Sequence, residues 1–299
     1  MKVAMMGLDA SGKTSFLSTI KKKYSVLWNL KPTKGVERDI FSFLNQEIAL
    51  WDYGGQAKYR RKYLRSFNQY LADLQLIFYL VDITAPQRLD ESLEYLQEIL
   101  SCFNSANLPH LIICLHKYDP DLRKNSQIQN TAQNSKEKIA QIVSNALYFE
   151  TSIFDENSLW KVFSKGIQKL ATGDEILFNY LEEIATETSA RGISLLDTQG
   201  MTVSSYVLDD DADFVLESCT PSFLDVWKSI KIRGLNPGLV DFDIANGTAV
   251  FSPLTIPNFT FFILAYFLKG GQQKSFLDQK SQLEAKISAI IGIFFTGRD

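Results

Sequence analysis

Residues 7–14 read Gly7-Leu8-Asp9-Ala10-Ser11-Gly12-Lys13-Thr14, which is G-x-x-x-x-G-K-[ST] without a departure. The apolar run Val3–Met6 before it predicts a short strand, and the spacing over Lys13–Lys23 predicts a helix after it. Strand, glycine loop and helix is the context in which this pattern cradles phosphate. Glycines let the backbone curl, so that amides of Asp9, Ala10, Ser11, Gly12, Lys13, Thr14 and Ser15 turn toward phosphate oxygens. The helix N-terminus adds positive potential at the same place. Lys13 is placed to bridge the β- and γ-phosphates, and the Thr14 hydroxyl to bind Mg²⁺. A plain glycine turn before an ordinary helix needs none of the lysine and threonine chemistry.

Working outward, the next signals stand at strand ends. Asp52-Tyr53-Gly54-Gly55-Gln56 follows the strand-like run Glu47–Trp51, itself paired with Ile40–Phe43 around Asn45-Gln46. Asp52 can hold the Mg²⁺ shell through water, the Gly55 amide can bond a γ-phosphate, and Gln56 can orient an attacking water. Pro32-Thr33 lies between these two motifs, where the Thr33 hydroxyl can reach the metal as a loop closes. Gln56, Lys13 and Thr33 are therefore the candidate catalytic residues, and Thr14, Thr33 and Asp52 the metal-binding ones. Leu74–Val81 is nearly all apolar, as a strand covered on both faces must be. Leu89–Phe103 repeats its apolar residues at helical spacing. His110–Leu115 predicts another buried strand, which ends in His116-Lys117-Tyr118-Asp119. A carboxylate there can accept two hydrogen bonds from guanine N1 and N2, a donor pair adenine lacks, so Asp119 selects the base while the Lys117 stem lies on the purine face. His116 reads better as a satisfied polar residue at the strand end than as a catalytic group. Glu150-Thr151-Ser152-Ile153 follows a last short strand, Leu147–Phe149, and can offer backbone N–H to guanine O6. Such positions, at the carboxyl ends of strands, are where open α/β sheets bind ligands.

Helices are also predicted at Ser135–Leu147 and Leu159–Leu170, with the polar stretch Lys124–Ser135 left as a solvated loop. The alternation predicts an α/β domain over residues 1–172, a mostly parallel sheet with helices on both faces. Past Ala171-Thr172-Gly173-Asp174 the rhythm changes. A helix at Glu175–Ala190, a hairpin (Gly192–Asp197 and Thr202–Leu208), an acidic turn at Asp209–Asp213, a helix at Pro221–Ile232, three strand-like runs and a helix at Ser275–Ile291 predict a small α+β domain over 175–299.

Composition agrees with two folded domains: 299 residues, 45% hydrophobic and 22% charged. The net charge of −3 argues against a dedicated nucleic-acid binder. Residues 1–172 carry 22 Lys and Arg against 17 Asp and Glu, whereas 173–299 carry 9 against 17. The acidic excess thus lies wholly in the half without visible chemistry, as suits an interaction surface. Cys102, Cys114 and Cys219 are too few and scattered for a disulfide framework or zinc site, and read as buried free thiols of a reducing compartment. No signal peptide, bilayer-length apolar run or lipidation pattern is evident, so the expected location is the cytoplasm, with membranes reached only through a scaffold.

The five segments, in this order and spacing, resemble the signatures of Ras-like small GTPases. The phosphate loop and Trp51-Asp52-Tyr53-Gly54-Gly55-Gln56-Ala57-Lys58-Tyr59-Arg60 resemble the Arf branch. His116, where most small GTPases have Asn, and Thr151-Ser152-Ile153-Phe154-Asp155 resemble the Rag (Gtr) branch, as does a C-terminal domain of roadblock, or longin-like, type. The resemblance implies a P-loop NTPase G domain that binds GTP/GDP and Mg²⁺ and hydrolyses GTP. Its nucleotide contacts fall on Asp9 to Ser15, Thr33, Gly55, His116, Lys117, Asp119, Ser152 and Ile153. It also implies pairing through the roadblock-like domain, with itself, a related GTPase or a roadblock protein, and the services of a GTPase-activating protein (GAP) and an exchange factor. The amphipathic N-terminal helix of Arf is not expected. Leu30, Lys31 and Pro32 precede Thr33 where an arginine supplied in cis would stand, so hydrolysis is expected to be slow without a partner's charge. Two other readings compete: a nucleotide-bound scaffold with negligible turnover, which would need neither Gln56 nor Thr33, and an ATP-using kinase, which Asp119 disfavours. The basic run Lys58, Arg60, Arg61, Lys62 and Arg65 suits either a solvated helix face or a surface for a GAP or effector.

Overall fold

The structure is a computed structural model and describes residues 1–24, 35–43, 46–104, 107–170, 174–235, 238–244, 246–256 and 259–294. The chain divides into two units, Met1–Gly166 and Ile167–Asp299.

In the first unit, β1 (Lys2–Gly7), β2 (Val36–Phe43), β3 (Gln46–Tyr53), β4 (Leu76–Asp82), β5 (His110–His116) and β6 (Leu147–Thr151) form one sheet, ordered β2-β3-β1-β4-β5-β6. All neighbours are parallel except β2 and β3. Helices α1 (Lys13–Tyr24), α2 (Ala57–Arg65), α3 (Phe67–Tyr70), α4 (Leu89–Ser101), α5 (Ser126–Ile142) and α6 (Glu156–Gln168) alternate with the strands. A parallel sheet covered on both faces needs strands apolar on both sides. Val3–Met6 and Leu76–Leu80 are accordingly fully buried. On one face Leu89, Tyr95, Leu96 and Ile99 of α4 join the core; on the other Phe163 of α6 stacks on Phe78 of β4. The α/β expectation holds. The strand β1 has β3 on one side and β4 on the other. The connection from β1 therefore runs to one side, toward β2, and the one from β3 to the other, toward β4, which opens a crevice at the carboxyl ends of the strands.

One expectation fails here. The polar stretch Lys124–Ser135 is not a loop: α5 begins at Ser126. The Asn125 side chain caps it, accepting from the amides of Gln127 at 2.9 Å and Ile128 at 3.4 Å. The buried stripe is only Ala132, Ser135 and Ile139, so a surface helix hides behind its polar composition.

The second unit holds α7 (Asp174–Thr188), β7 (Gly192–Leu196), β8 (Thr202–Val207), α8 (Asp210–Ile232), β9 (Val240–Ile244), β10 (Gly247–Ile256), β11 (Phe259–Leu268), α9 (Gln273–Asp278) and α10 (Lys280–Phe294). Its five strands form one antiparallel sheet, ordered β8-β7-β11-β10-β9. Along β11, Phe262, Leu264 and Tyr266 join the core under α8, while Phe267 turns the other way to meet Phe276 of α9. Cover on both faces explains why this strand reads as an uninterrupted apolar run.

The acidic stretch also departs from expectation. Asp209–Asp213 is not a solvated turn but the cap and first turn of α8. The Asp209 side chain accepts from the Ala212 amide at 2.8 Å, and Asp210, Asp211 and Asp213 meet the positive end of the helix. Pro221, read as a helix start, lies inside this helix. Of the three cysteines, all free, only Cys114 is fully buried; Cys102 and Cys219 are partly exposed. Among the described residues no helix is long and apolar enough to cross a membrane.

Candidate functional site

The phosphate loop leaves the carboxyl end of β1 and runs straight into α1. Gly12 adopts φ +91°, and a Cβ there would lie 2.4 Å from the His116 ring, so only glycine lets the loop rest on the end of β5. Lys13 is buried, and its Nζ donates to the carbonyls of Gly7 at 3.1 Å and Leu8 at 2.5 Å and to Ser11 Oγ at 3.3 Å. Burial lowers its pKa to about 8, opposed by the charges of Asp52 and Asp9. The ammonium is thus held inside the bend of the loop, next to whatever anion the loop receives.

Beside it, Thr14 Oγ1 donates to Asp52 Oδ2 at 3.0 Å, which brings together two of the three expected metal-binding side chains. Asp52 is 3% exposed at the end of β3. One hydroxyl beside one carboxylate is a hard-oxygen donor set that fits Mg²⁺, an ion that keeps waters and takes phosphate oxygens rather than an all-protein cage. Among the described residues no cluster of three or more His, Cys, Asp or Glu offers an alternative metal site. Thr33 and Pro32 lie outside the described residues.

Gly55 touches the loop from below. Its carbonyl accepts from the Asp9 amide at 3.1 Å, and a Cβ at Gly55 would fall 2.3 Å from that same nitrogen. The next residue, Gln56, is exposed and forms the N-cap of α2 with extended backbone, φ −65° and ψ 141°. It directly follows Gly55, the residue whose carbonyl holds the Asp9 amide of the loop. Of the basic run that follows, Arg60 turns inward, its side chain 12% exposed, while Lys58, Arg61, Lys62 and Arg65 face solvent.

The base motif gathers at the ends of β5 and β6. Lys117 takes the left-handed conformation, φ +67°, and its Nζ bonds Asp82 Oδ2 at 2.5 Å. Asp119 Oδ1 accepts from Ser152 Oγ at 2.5 Å, and the Tyr118 amide donates to the Thr151 carbonyl at 3.0 Å. A carboxylate has about four lone-pair sites, so Ser152 orients Asp119 without exhausting it. In the adjoining turn the Ser152 amide donates to Ser158 Oγ and the Phe154 amide to Ser152 Oγ. Ile153 lies between them and is exposed. His116 sits beneath the loop rather than at its mouth: 1% exposed, its Nδ1 2.9 Å from Thr151 Oγ1 and its ring against Gly12. Burial, with the neighbouring Lys117, lowers its pKa to about 4, so the ring is neutral.

Three further residues shape the site without belonging to its sequence motifs. Asp82 holds Lys117, Ser158 organises the turn after β6, and Arg88 grips Asp9. The only signal for Arg88 is a polar stretch just past a buried strand, which most α/β loops share.

Comparison with known proteins agrees with this geometry. The model of the family described as the Gtr1/RagA G protein conserved region matches residues 2–220. Ras-related GTP-binding protein A of Dictyostelium discoideum is 26% identical over 211 residues, covering 69% of this chain and 69% of that protein. E3 ubiquitin-protein ligase arc-1 of Caenorhabditis elegans is 31% identical over 101 residues; the match covers 33% of this chain and spans only 18% of that relative's length. Among solved structures, the Arl6 (BBS3) small GTPase of Trypanosoma brucei with bound GppNp covers 56% of this chain and 95% of that one, at 18% identity and a TM-score of 0.44. With the family match extending over well more than half of its length, the chain belongs to the Gtr1/RagA family of small GTPases, proteins that bind and hydrolyse GTP.

Proposed function

We propose that this chain is a Mg²⁺-dependent, guanine-selective switch whose hydrolysis rests on Gln56. The observation that carries the reading is that the phosphate-facing set (Lys13, Thr14, Asp52) and the base-facing set (Lys117, Asp119, Ser152) line the carboxyl edge of one sheet, joined where His116 meets Gly12. The loop amides from Ala10 to Ser15 and the Lys13 ammonium neutralise the phosphates, while the Asp9 amide is held by the Gly55 carbonyl. Thr14, Thr33 and Asp52 would hold Mg²⁺, which would supply positive charge to the phosphate group under attack. Gln56, directly after Gly55, orients a water for in-line attack on the γ-phosphorus, and the Gly55 amide meets the γ-oxygens. Asp119, held by Ser152, takes guanine N1 and N2, with the Lys117 stem on the ring and the Ile153 amide toward O6. Competition between GTP and ATP for the purified chain tests the base selection: GTP wins by at least about 100-fold, and Asp119→Ala removes the preference. Equal displacement by ATP refutes it.

The second unit, read as a roadblock-like domain over 175–299, supplies pairing with a second copy, a related GTPase or a small roadblock protein. The nucleotide state of the first unit then sets what the assembly recruits in the cytoplasm. Turnover is slow without an activating partner.

A further inference from the structure

The phosphate loop carries a carboxylate, Asp9, and a γ-phosphate received by that loop would bring further negative charge to it. Asp9 is a loop residue with a half-exposed side chain. Like charges a few Å apart repel by about 1 kcal/mol in water and by several times that where solvent is partly excluded. The loop's own cation feels this charge but makes its hydrogen bonds elsewhere, Lys13 Nζ being turned into the carbonyls of Gly7 and Leu8.

The answer comes from Arg88, 79 residues away in sequence. Its Nη1 donates to the Asp9 carbonyl at 2.9 Å and its Nη2 to Asp9 Oδ1 at 2.7 Å. This two-point grip holds both the backbone and the side chain of the loop residue, as only a planar guanidinium can. The hydrogen bond from Arg88, more than its charge, holds the Asp9 carboxyl below the usual carboxylate range. The same guanidinium donates to Glu91 Oε2, Nη2 at 3.3 Å and Nε at 3.4 Å. Glu91 Oε1 in turn accepts from Arg60, whose guanidinium lies 5.0 Å over the Tyr95 ring. Asp9, Arg88, Glu91 and Arg60 therefore form a chain of alternating charge from the loop to α2, the helix that Gln56 caps. The chain is anchored at two points: Arg88 leads into α4, which is held by buried Leu89, Leu96 and Ile99, and Asp9 is bonded to Gly55.

We propose that Arg88 lets the phosphate loop accept a γ-phosphate, by neutralising Asp9, and that it couples the charge at the loop to α2 through Glu91 and Arg60. Arg88 is thus a positioning and specificity residue that sets the preference for guanosine triphosphate over diphosphate, because only the triphosphate adds charge beside Asp9. The inference rests on the nucleotide reading above. The test measures affinity for GDP and for a non-hydrolysable GTP analogue in wild type, Arg88→Ala, Asp9→Asn and the double variant. Arg88→Ala should weaken the GTP analogue by at least about tenfold and GDP by less than about threefold. In the double variant the analogue should return to within about threefold of Asp9→Asn alone, a recovery that a merely structural arginine would not give. Equal loss for both nucleotides, or no recovery with Asp9→Asn, overturns the proposal. Should Arg88→Ala not fold, Arg88→Gln, uncharged and of similar length, carries the same comparison. Wild-type protein that binds neither nucleotide refutes the nucleotide reading instead.

Discussion

At the scale of single residues, the shape of the site depends on two glycines and a histidine that fit the loop against the ends of the strands. A methyl group at Gly12 meets both an unfavourable φ and the His116 ring, and one at Gly55 meets the Asp9 amide. Gly12→Ala should therefore cost about 1–3 kcal/mol, read as a lower thermal midpoint of the nucleotide-free protein. An unchanged midpoint would show that the loop relaxes away from β5. His116 adds a pH dependence with a definite sign. Its folded pKa, about 4, lies below the 6.5 of an unperturbed imidazole. Between these values the unfolded chain binds the extra proton, so stability rises with pH across this window and is lost as pH falls from about 6.5 toward 4. The full effect is roughly 3 kcal/mol. A pH series of unfolding free energies should show a shallower slope in His116→Asn than in wild type; parallel curves would refute the buried neutral ring.

At the scale of elements, burial and caps decide what the sequence reveals. The strands β1, β4 and β5 are legible because burial on both faces leaves them almost no polar residues, and the motifs are legible because their chemistry sits in contiguous residues. The long acidic and polar stretches mislead, because a helix on the surface needs only a narrow apolar stripe. In α5 that stripe is Ala132, Ser135 and Ile139, and in α8 the acids are a cap and a first turn rather than a solvated loop. Arg88 is illegible for another reason: its partner Asp9 is distant in sequence, and no local pattern marks a contact made by the fold. The cap on α5 can be measured. Asn125→Ala should destabilise the first unit by about 1 kcal/mol, a drop of roughly 2–4 °C in its unfolding transition. A transition that does not move would mean that the backbone of α5 holds its first turn without the side chain.

At the scale of the whole molecule, the Gtr1/RagA family match and the two units frame one account: a guanine-nucleotide switch and a second unit whose acidic balance suits interaction. Mass photometry of the full chain, alone and mixed with a related GTPase, should show a species of about twice the 33.9 kDa chain mass, or a mixed pair. A chain that stays monomeric in every mixture, loaded with GDP or with a GTP analogue, would contradict the pairing proposed for residues 175–299. Whether Gln56 governs hydrolysis is read from single-turnover GTP hydrolysis with Mg²⁺. Wild type should turn over slowly but measurably. In Gln56→Leu, GTP affinity should stay within about threefold and hydrolysis should fall by at least about tenfold. Equal turnover in the two proteins, at equal GTP occupancy, would contradict that role for Gln56.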